Sequence, residues 1–506
     1  MTSGRAGGLT HMTTSTTPQK SSRWAALVVL CTGMLMIVLD ATVVNVALPS
    51  IQDDLGFSQA SLAWVVNAYL IAFGGLLLLA GRLGDLIGRR RVFLIGLAIF
   101  TVASLLCAVA QSQGVLIGAR FVQGVGGALA SAVILGMIVT LFPEPREQAK
   151  AIGVFGFVAS AGGSIGLLAG GVLTEAINWH WIFFINLPVG AITALLAVRI
   201  VEADEGIGFR QGADVPGAVL ITVALMLGVY TILEVGDRGW TSLHTLGLGG
   251  VSAALVAVFV VRQARIPTPL MPLRLFKSRN VVTANTLQVL LVAGMFGMFF
   301  LGALYLQRVL GYDPLEVGLA FVPVTLVMGT LSLRFSERAA MRFGPRNTIL
   351  PSLVLIAAGL ALFARAPVDG SYVTDVLPPM LLIGAGGGLG FPALMMLAMS
   401  GVKPEDAGLA SGLVNTSMQV GGAVGLAVLA TLSATRTESL AGDAAPSAAA
   451  LTDGYQLAFM VGAGLAIAAL ALALVVLRPE PAASMAEQPA HEHGGQPTPE
   501  PAAEAA

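Results

Sequence analysis

The sequence predicts an all-α integral membrane protein with fourteen transmembrane helices, and three observations support this fold class. The chain of 506 residues is 56% hydrophobic and only 11% charged, whereas soluble domains usually carry about 25% charged residues. Apolar runs of about twenty residues, the length that a helix needs to cross the hydrocarbon core, recur along the chain. Charged residues gather between these runs. We therefore expect most of the folded chain to be surrounded by lipid.

The apolar runs define the predicted spans one by one. Charge is nearly absent within each run, and backbone groups at that depth must hydrogen-bond within a helix. In chain order, the predicted spans lie at about residues 24–48, 60–80, 92–111, 114–141, 149–174, 180–201, 214–236, 244–263, 280–306, 315–336, 347–365, 375–400, 407–434 and 453–477.

The lysines and arginines between the spans predict the orientation, because basic residues accumulate on the cytoplasmic side. If the N-terminus is cytoplasmic, 22 of the 27 basic residues lie in inner segments and only four lie in outer loops. The remaining one, Arg120, lies inside the fourth span. We therefore predict a multi-pass protein of the cell (cytoplasmic) membrane with both termini in the cytoplasm.

Short motifs of the first half recur in the same order in the second half, 255 to 266 residues later. The matches are LGF at 55–57 with LGY at 310–312, IGRR at 87–90 with FGPR at 343–346, LIGA at 116–119 and 382–385, and Gly162 and Gly166 with Gly421 and Gly425. Because the offset spans eight predicted helices, we predict two bundles of six helices with two helices inserted between them. Secondary transporters with parallel repeats place the substrate between the halves, near mid-membrane.

The predicted organisation has five parts. They are a cytoplasmic N-terminal segment (1–23), a six-helix bundle (24–201), two inserted helices (214–263), a second six-helix bundle (280–477) and a cytoplasmic tail (478–506). The tail is rich in proline, alanine and glutamate, which is typical of disordered segments. The first apolar run is too long for the core of a signal peptide, so we expect it to remain as a span.

Several classes of function are disfavoured by composition. The net charge is −1 and no basic tract is present, so no nucleic-acid partner is expected. The phosphate-binding pattern GxxxxGK[ST] does not occur, so ATP is not the expected energy source. Cys31 and Cys107 lie in apolar runs and offer no metal-ligand spacing. We expect no metal and no cofactor, and a transporter rather than an enzyme.

Asp40 and Arg120 lie deep within predicted spans, away from their ends. A charged group in the bilayer costs several kcal/mol unless it is paired or faces a wet cavity. Burial disfavours the charged form of a carboxyl, which makes Asp40 a candidate for reversible proton binding. Arg120 stays charged and needs a partner, and Gln123 lies one turn later on the same face. The alternatives are an interfacial acid at Asp40 and a purely structural polar clamp at Arg120.

The stretch GRLGDLIGRRR, Gly81 to Arg91, resembles the signature loop between helices two and three of the major facilitator superfamily. The matching positions are Gly81, Leu83, Asp85, Gly88, Arg89 and Arg90, whereas Leu86 stands where the family often has a basic residue. Arginines alone would be enough to orient the protein in the membrane, so orientation does not explain the aspartate and the glycines of this loop. The resemblance implies a latch that holds the two halves together on the cytoplasmic side.

The predicted partner of this latch is the start of the thirteenth span. That helix follows VKPEDAG, in which Glu405 and Asp406 suit the positive end of a helix dipole. We expect Asp85 to face this helix N-terminus, and Arg89 or Arg90 to pair with Glu405 or Asp406.

Further motifs resemble the fourteen-helix drug–proton antiporter branch of the superfamily, across roughly residues 25 to 475. They are LDATVVNVALPSI, GGSIGLLAGG, PLMPLRLFKSRN and YLQRVLGYDPLEVGLAFVP. RFVQGVGGA in the fourth span resembles the superfamily's Arg-x-x-Gln-Gly motif. The resemblance implies the major facilitator fold, a role of Arg120 in proton coupling, and proton-coupled export of amphipathic drugs or antibiotics by alternating access. Protons, the drug and the lipid bilayer are the expected partners. The alternatives are a proton symporter that imports a metabolite, and a membrane enzyme or receptor.

Glycines form one face of the fifth predicted span. Gly162, Gly166 and Gly170 recur every fourth residue, with Gly171 beside them, and such spacing lets another helix approach closely. In the antiporter motif of the family a proline stands where this chain has Leu167. The alternative is plain close packing in a chain with 61 glycines.

Amides within the spans are candidates for the substrate cavity, although amides also serve as hydrogen bonds between helices. Glu234, near the outer end of an inserted helix, is a candidate for cationic substrates or an ordinary interfacial acid. The candidate cavity residues are Asn45, Asn67, Gln123, Gln288, Asn415, Gln419 and Glu234.

Overall fold

A computed structural model describes residues 20–204, 206, 208, 214–267, 269–271, 273–400, 407–442 and 445–477. The regular secondary structure of these residues is entirely helical. The first bundle comprises α1 (Lys20–Leu55), α2 (Gln59–Ile87), α3 (Arg89–Ala108), α4 (Gln113–Leu141), α5 (Pro145–Ala176), α6 (Trp181–Phe184) and α7 (Asn186–Ile200).

The remaining helices form the insertion and the second bundle. The inserted segment contains α8 (Val215–Leu233), α9 (Val235–Arg238) and α10 (Leu243–Arg265). The second bundle comprises α11 (Arg279–Arg308), α12 (Pro314–Leu331), α13 (Glu337–Phe343), α14 (Pro345–Phe363), α15 (Leu377–Met399), α16 (Ala407–Ala441) and α17 (Ala448–Val476).

Each predicted span falls on a helix. Among the described residues, twelve helices are long and apolar enough to cross a membrane, and α2 makes a thirteenth when its two arms, bent by 49°, count as one span. The remaining predicted span lies on α5, whose part Ile165–Ala176 is a shorter apolar helix. The predicted sixth span consists of α6 and α7 together.

Three helices run seven residues beyond the predicted ends of their spans: α1 to Leu55, α2 to Ile87 and α16 to Ala441. Helix α1 continues through Pro49 to Leu55 rather than ending near 48. The predicted outer loop at 435–452 is largely helical, because α16 runs to Ala441 and α17 begins at Ala448. These extensions are polar, so hydropathy alone missed them. Arg436 Nε donates to Asp453 Oδ1 over 2.7 Å and joins the two extended ends.

The two bundles repeat the same helix pairings. Helix α1 packs on α5 as α11 packs on α16, and α3 packs on α4 and α7 as α14 packs on α15 and α17. The short repeated motifs fall on matching turns: φ is 68° at Gly56 and 73° at Gly311, and 99° at Gly88 and 82° at Gly344. Positive φ is tolerated best by glycine, which explains why glycine recurs at these positions. The domain boundaries set from the sequence stay predictions.

The inserted helices lie against both bundles. Helix α8 packs on α2 and on α16, whereas α10 packs mainly on α8. At one end, the carboxylate of Asp214 accepts hydrogen bonds from Arg262 Nε (2.8 Å), Gln263 Nε2 (2.6 Å) and the N–H of Gly217 (2.9 Å). Burial opposes ionisation, but these donors outweigh it and lower the pKa of Asp214. The ionised carboxylate therefore clamps α8 to α10.

Candidate functional site

The carboxylate of Asp40 lies at the centre of a buried hydrogen-bond cluster in the first bundle. Its Oδ2 accepts from Arg120 Nη1 over 2.5 Å. Its Oδ1 accepts from Gln123 Nε2 over 2.7 Å and from Asn186 Nδ2 over 2.8 Å. All four side chains are at most 2% exposed. The arrangement satisfies an ionised carboxylate at both oxygens, with donors from α4 and α7.

Arg120 is held on every side. Its Nε donates to the backbone oxygen of Val65 over 3.0 Å, and its Nη1 also donates to Gln123 Oε1 over 2.7 Å. The guanidinium lies 4.5 Å from the centre of the Tyr69 ring, within the range of a cation–π contact. A buried charge that lost its partner would be strongly destabilising. The pairing of Arg120 with Asp40 therefore depends on the charge of Asp40.

Asn186 and Ser104 complete this cluster, and sequence reasoning missed both of them. Ser104 Oγ donates to the carbonyl of Phe183 and accepts from the amides of Gln123 and Asn186. Asn186 begins α7 directly after the break that ends α6. Pro188 lacks an N–H, so the helix cannot complete its ladder here, and the break brings Asn186 to Asp40. The available signal was an isolated polar residue inside an apolar span.

The glycine face of α5 packs on α1, the helix that carries Asp40. A Cβ atom at Gly166 would stand 2.0 Å from Thr42 Oγ1, and one at Gly170 would stand 2.7 Å from the carbonyl oxygen of Val43. A Cβ at Gly162 would meet Val38, and one at Gly171 would stand 2.6 Å from the carbonyl oxygen of Pro314 in α12. Three of the four glycines therefore bring α5 onto α1, and Gly171 brings α5 onto the second bundle.

The second bundle repeats this contact. A Cβ at Gly425 of α16 would stand 2.3 Å from the Cα of Ala293 in α11. Gly421 likewise lies against Val289 of α11. The glycines that the sequence aligned thus make the same helix–helix contact in both halves.

The predicted cavity residues do not share one location. Gln123 lies in the Asp40 cluster rather than at an open cavity. Gln419 of α16 lies against Gly74 of α2, between the bundles. Asn67 and Gln288 are buried, and among the described atoms neither the Asn67 amide nor the Oε1 of Gln288 has a hydrogen-bond partner. Such atoms suit a polar ligand or water.

The other three candidates are more exposed. Asn45 is half-buried on α1 and donates to the carbonyl of Thr42 over 3.3 Å. Asn415 is exposed on α16. Glu234 pairs with Arg238 over 2.9 Å at the end of α8, which agrees with an interfacial acid. Substrate binding by these residues stays a prediction.

The signature loop binds a partner that the sequence did not predict, in the linker after α7. The carboxylate of Asp204 accepts from the backbone N–H of Arg89 (2.7 Å) and of Arg90 (3.0 Å). Arg89 also donates to Asp85 (3.1 Å) and to the carbonyl of Gly136 (3.0 Å). The linker after α7 therefore caps the N-terminus of α3.

Only one side of the predicted cross-bundle latch, the signature loop, belongs to the described residues. Glu405 and Asp406 lie outside the described residues, so their pairing with Arg89 or Arg90 stays a prediction. Gly88 needs its positive φ, whereas a Cβ at Gly81 would meet none of the described atoms within 4 Å. In this conformation, close approach of another helix does not explain Gly81.

At the ends predicted to lie outside, α11 is bonded to α1. Gln307 Nε2 donates to the carbonyl of Val46 over 2.9 Å. Arg308 Nη2 donates to the carbonyl of Pro49 over 3.3 Å and pairs with the carboxylate of Asp53. These contacts join the two bundles at the outer ends of α1 and α11.

The fold and the buried polar cluster define a membrane transporter. Solved structures share the fold: a bacterial homologue of the human lysosomal transporter Spinster, in an inward-facing and unoccupied conformation, matches with a TM-score of 0.64 at 16% identity, over 90% of this chain and 97% of the other. A bacterial homologue of the human drug peptide transporters PepT1 and PepT2 matches with a TM-score of 0.63 at 15% identity, over 90% and 98% of the two chains. The sequence model of the Major Facilitator Superfamily matches residues 30–426, and the chain belongs to this superfamily of transporters.

Curated relatives narrow the similarity further. The chain is 40% identical to the puromycin resistance protein pur8 of Streptomyces alboniger, over 91% of this chain and 93% of the relative. It is 39% identical to the cephamycin export protein CmcT of Amycolatopsis lactamdurans, over 95% and 96% of the two chains. A tetracenomycin C resistance and export protein of Streptomyces glaucescens is 35% identical over 82% and 76%. The resemblance to antibiotic-exporting transporters is therefore confirmed.

Proposed function

We propose that this protein exports amphipathic drugs or antibiotics across the cytoplasmic membrane in exchange for protons, by alternating access. The observation that carries the proposal is the Asp40 carboxylate, hidden from lipid and bonded to Arg120. Relatives that resist or export antibiotics supply the substrate class. In this proposal both termini are cytoplasmic, as the loop arginines predict, and the proton gradient drives export without ATP.

The proton acts through the charge of Asp40. Ionised, the carboxylate accepts from Arg120, Gln123 and Asn186. Protonated, it no longer balances the guanidinium of Arg120, which keeps its charge in the low-dielectric interior. The contacts between α1 and α4 then lose their strongest attraction. Proton binding thus biases how α1 sits against the rest of the first bundle.

The packing around α1 transmits this bias. Gly162, Gly166 and Gly170 let α5 lie directly on α1, and α5 also packs on α12 of the second bundle. At its outer end, α1 is tied to Arg308 of α11. A small displacement of α1 therefore acts on two contacts between the bundles. On the cytoplasmic side, Asp85 and Arg89 serve as the latch, with Glu405 or Asp406 as the proposed partner.

The substrate binds between the two bundles in this proposal. Asn67, Gln288 and Gln419 are the amides that support this location best, because all three are buried within or between the bundles. Asn45, Asn415 and Glu234 are more peripheral contributors. Amphipathic compounds suit a path of this kind, in which apolar walls carry a few amides.

The alternative is a proton symporter that imports a small metabolite. Leu167, which replaces the proline of the antiporter motif, weakens the inference of export and leaves this alternative open. The two functions differ in direction, so a transport assay separates them.

The test uses expression in a pump-deficient bacterial host. We expect the native protein to raise resistance to at least one of puromycin, lincomycin and a cephamycin, and to lower its accumulation. In everted vesicles, an imposed pH gradient should drive uptake of the same compound, and collapse of the gradient should stop it. Increased accumulation in cells would favour the importer, and no proton-dependent flux would refute both.

A further inference from the structure

A cavity of about 160 Å³ lies among the ends of α11, α14, α15 and α17, away from the Asp40 cluster. Its polar lining consists of Arg279, Asn280, Arg346 and Asn347. Two arginines thus line it, with no carboxylate among the described lining residues. All four helix ends belong to the side that the loop arginines assign to the cytoplasm. The cavity therefore has the charge and the donors of an anion site.

Some of these donors are already committed, and others are available. Arg346 Nε donates to the carbonyl of Leu477 over 2.9 Å, which fixes its guanidinium at the rim. Asn280 Nδ2 donates to Ser400 Oγ over 2.7 Å. Arg279 is exposed and belongs to the first turn of α11. The site is therefore partly preorganised, and Arg279 remains able to bind a ligand.

The internal repeat supplies independent evidence for an anion here. Gly344, before α14, corresponds to Gly88, before α3, and both have positive φ. In the first bundle the carboxylate of Asp204 fills the N-terminus of α3 and binds two backbone N–H groups. At the N-terminus of α14 no side chain of the described residues provides a cap. The equivalent position in the second bundle adjoins this cavity. Pro345, the first residue of α14, has no N–H, so the N–H groups of Arg346 and Asn347 are the ones that can attract negative charge there.

The rim of the cavity carries the side chains of a membrane interface. Phe343, which lines the cavity, is 54% exposed, and Met341 and Phe335 are exposed by 52% and 50%. Arg338 and Arg342 are exposed on the same short segment. Apolar and basic residues together are typical of helices at the headgroup level. Basic pockets between spans on this side commonly bind lipid headgroups.

We propose that this cavity binds a phosphate group, and that an anionic phospholipid of the cytoplasmic leaflet supplies it. Arg279 and Arg346 contribute the charge, Asn347 and the N-terminus of α14 contribute neutral donors, and Phe343 lies beside the acyl chains. Inorganic phosphate offers the same chemistry without the chains. The proposal depends on the proposed orientation, but not on proton coupling or on the substrate.

The test measures lipid binding to the purified full-length protein by native mass spectrometry, with phosphatidylglycerol and phosphatidylcholine as probes. We expect phosphatidylglycerol to bind more tightly. Arg279→Ala should weaken this binding about fivefold, and Asn347→Asp should weaken it by a similar factor through repulsion. The matched control is Arg365→Ala, at the opposite end of α14 and also exposed. It should leave both affinities unchanged.

A second arm distinguishes the sources of the anion. Binding of inorganic phosphate that weakens in Arg279→Ala, with no preference for phosphatidylglycerol, would keep the phosphate site but assign it a soluble ligand. Equal binding of both lipids and no phosphate binding would overturn the proposal. Glu480 follows the lining residue Leu477 by three positions and lies outside the described residues. If Glu480→Gln and Arg346→Ala lowered the melting temperature equally, with or without lipid, the chain's own carboxylate would occupy the cavity and the proposal would be overturned. None of these measurements involves transport, so failure here is separable from failure of the proposed function.

Discussion

Gly166 of α5 lies so close to Thr42 of α1 that a Cβ atom at Gly166 would stand 2.0 Å from Oγ1 of Thr42. Thr42 follows Asp40 by two residues, so this contact joins the glycine face to the buried charge pair. A Cβ atom at Gly163, on the same helix, would meet none of the described atoms within 4 Å. The two glycines therefore form a matched pair for testing whether close packing of α5 on α1 matters for transport.

We expect Gly166→Ala to slow transport strongly, because the added methyl would overlap Thr42 Oγ1 and lie 3.1 Å from the carbonyl oxygen of Leu39, so the contact between α5 and α1 must readjust. Overpacking of this kind usually costs about 1–3 kcal/mol. Gly163→Ala should transport normally. The measurement is drug accumulation at equal membrane levels of the two variants. Equal transport by both would mean that the glycine face is only a consequence of composition.

Asp40→Asn should abolish proton-driven efflux while the protein still inserts, because the amide has nearly the same shape but cannot carry the proton. Asp453→Asn is the control, since Asp453 also pairs with an arginine but lies at an exposed outer end. Efflux is measured under an imposed pH gradient. A native rate in Asp40→Asn would remove Asp40 from the coupling role.

The helices and the charge pair were predictable because lipid leaves strong signals in a sequence. A long apolar span is easy to recognise in a sequence, and a single charged residue inside one, such as Asp40 or Arg120, needs a partner. That the two residues pair with each other was not predictable, since 80 positions separate them. Asn186 and Ser104 escaped notice because a single polar residue in a span has many ordinary explanations.

The contacts of the signature loop were predicted less well. A family pattern indicated that Asp85 and Arg89 matter, but it gave no information about Asp204, which lies in a linker without periodicity. Hydrogen bonds from backbone N–H groups leave no trace in the identity of the donor residue. The outer ends of α1 and α16 were missed for a related reason: a polar helix that extends beyond the membrane has no hydropathy signal.

Asp204→Ala should destabilise the start of α3, because the N–H groups of Arg89 and Arg90 lose their acceptor. Loss of a helix cap costs about 1 kcal/mol. We expect faster hydrogen exchange at these two amides and slower drug transport. Glu202→Ala, in the same linker, is the control. Unchanged exchange in Asp204→Ala would show that water replaces the carboxylate without cost.

Asp214 gives a prediction about pH. The pKa of Asp214 is lowered in the folded protein. The ionised carboxylate therefore stabilises the clamp at pH values above the ordinary aspartate pKa of about 4. This stabilisation is lost as the pH falls through the lowered pKa. Asp214→Ala should therefore lower the melting temperature equally at pH 6 and pH 8, at a cost of about 1–3 kcal/mol. A penalty that changes between these pH values would contradict this account.

Arg308, together with Gln307, joins the two bundles at the ends of α1 and α11 that are predicted to lie outside. It binds the carbonyl of Pro49 and the carboxylate of Asp53, and both belong to α1. Exposed ion pairs are worth only about 0–1 kcal/mol, so Arg308→Ala should shift the conformational equilibrium a few-fold rather than abolish transport. We expect the outer side to open more often.

The measurement uses a cysteine in place of Asn45, which is half-buried near this contact. Cys31 and Cys107 are buried and are replaced by serine in every variant compared. In Arg308→Ala, a membrane-impermeant maleimide added from outside should label the Asn45→Cys position a few-fold faster than in the parent, as expected for the loss of one exposed ion pair. Arg365→Ala, which removes another exposed outer arginine of the second bundle, should leave the rate unchanged. Equal labelling in all three proteins would mean that Arg308 stabilises only its own helix end and takes no part in closing the outer side.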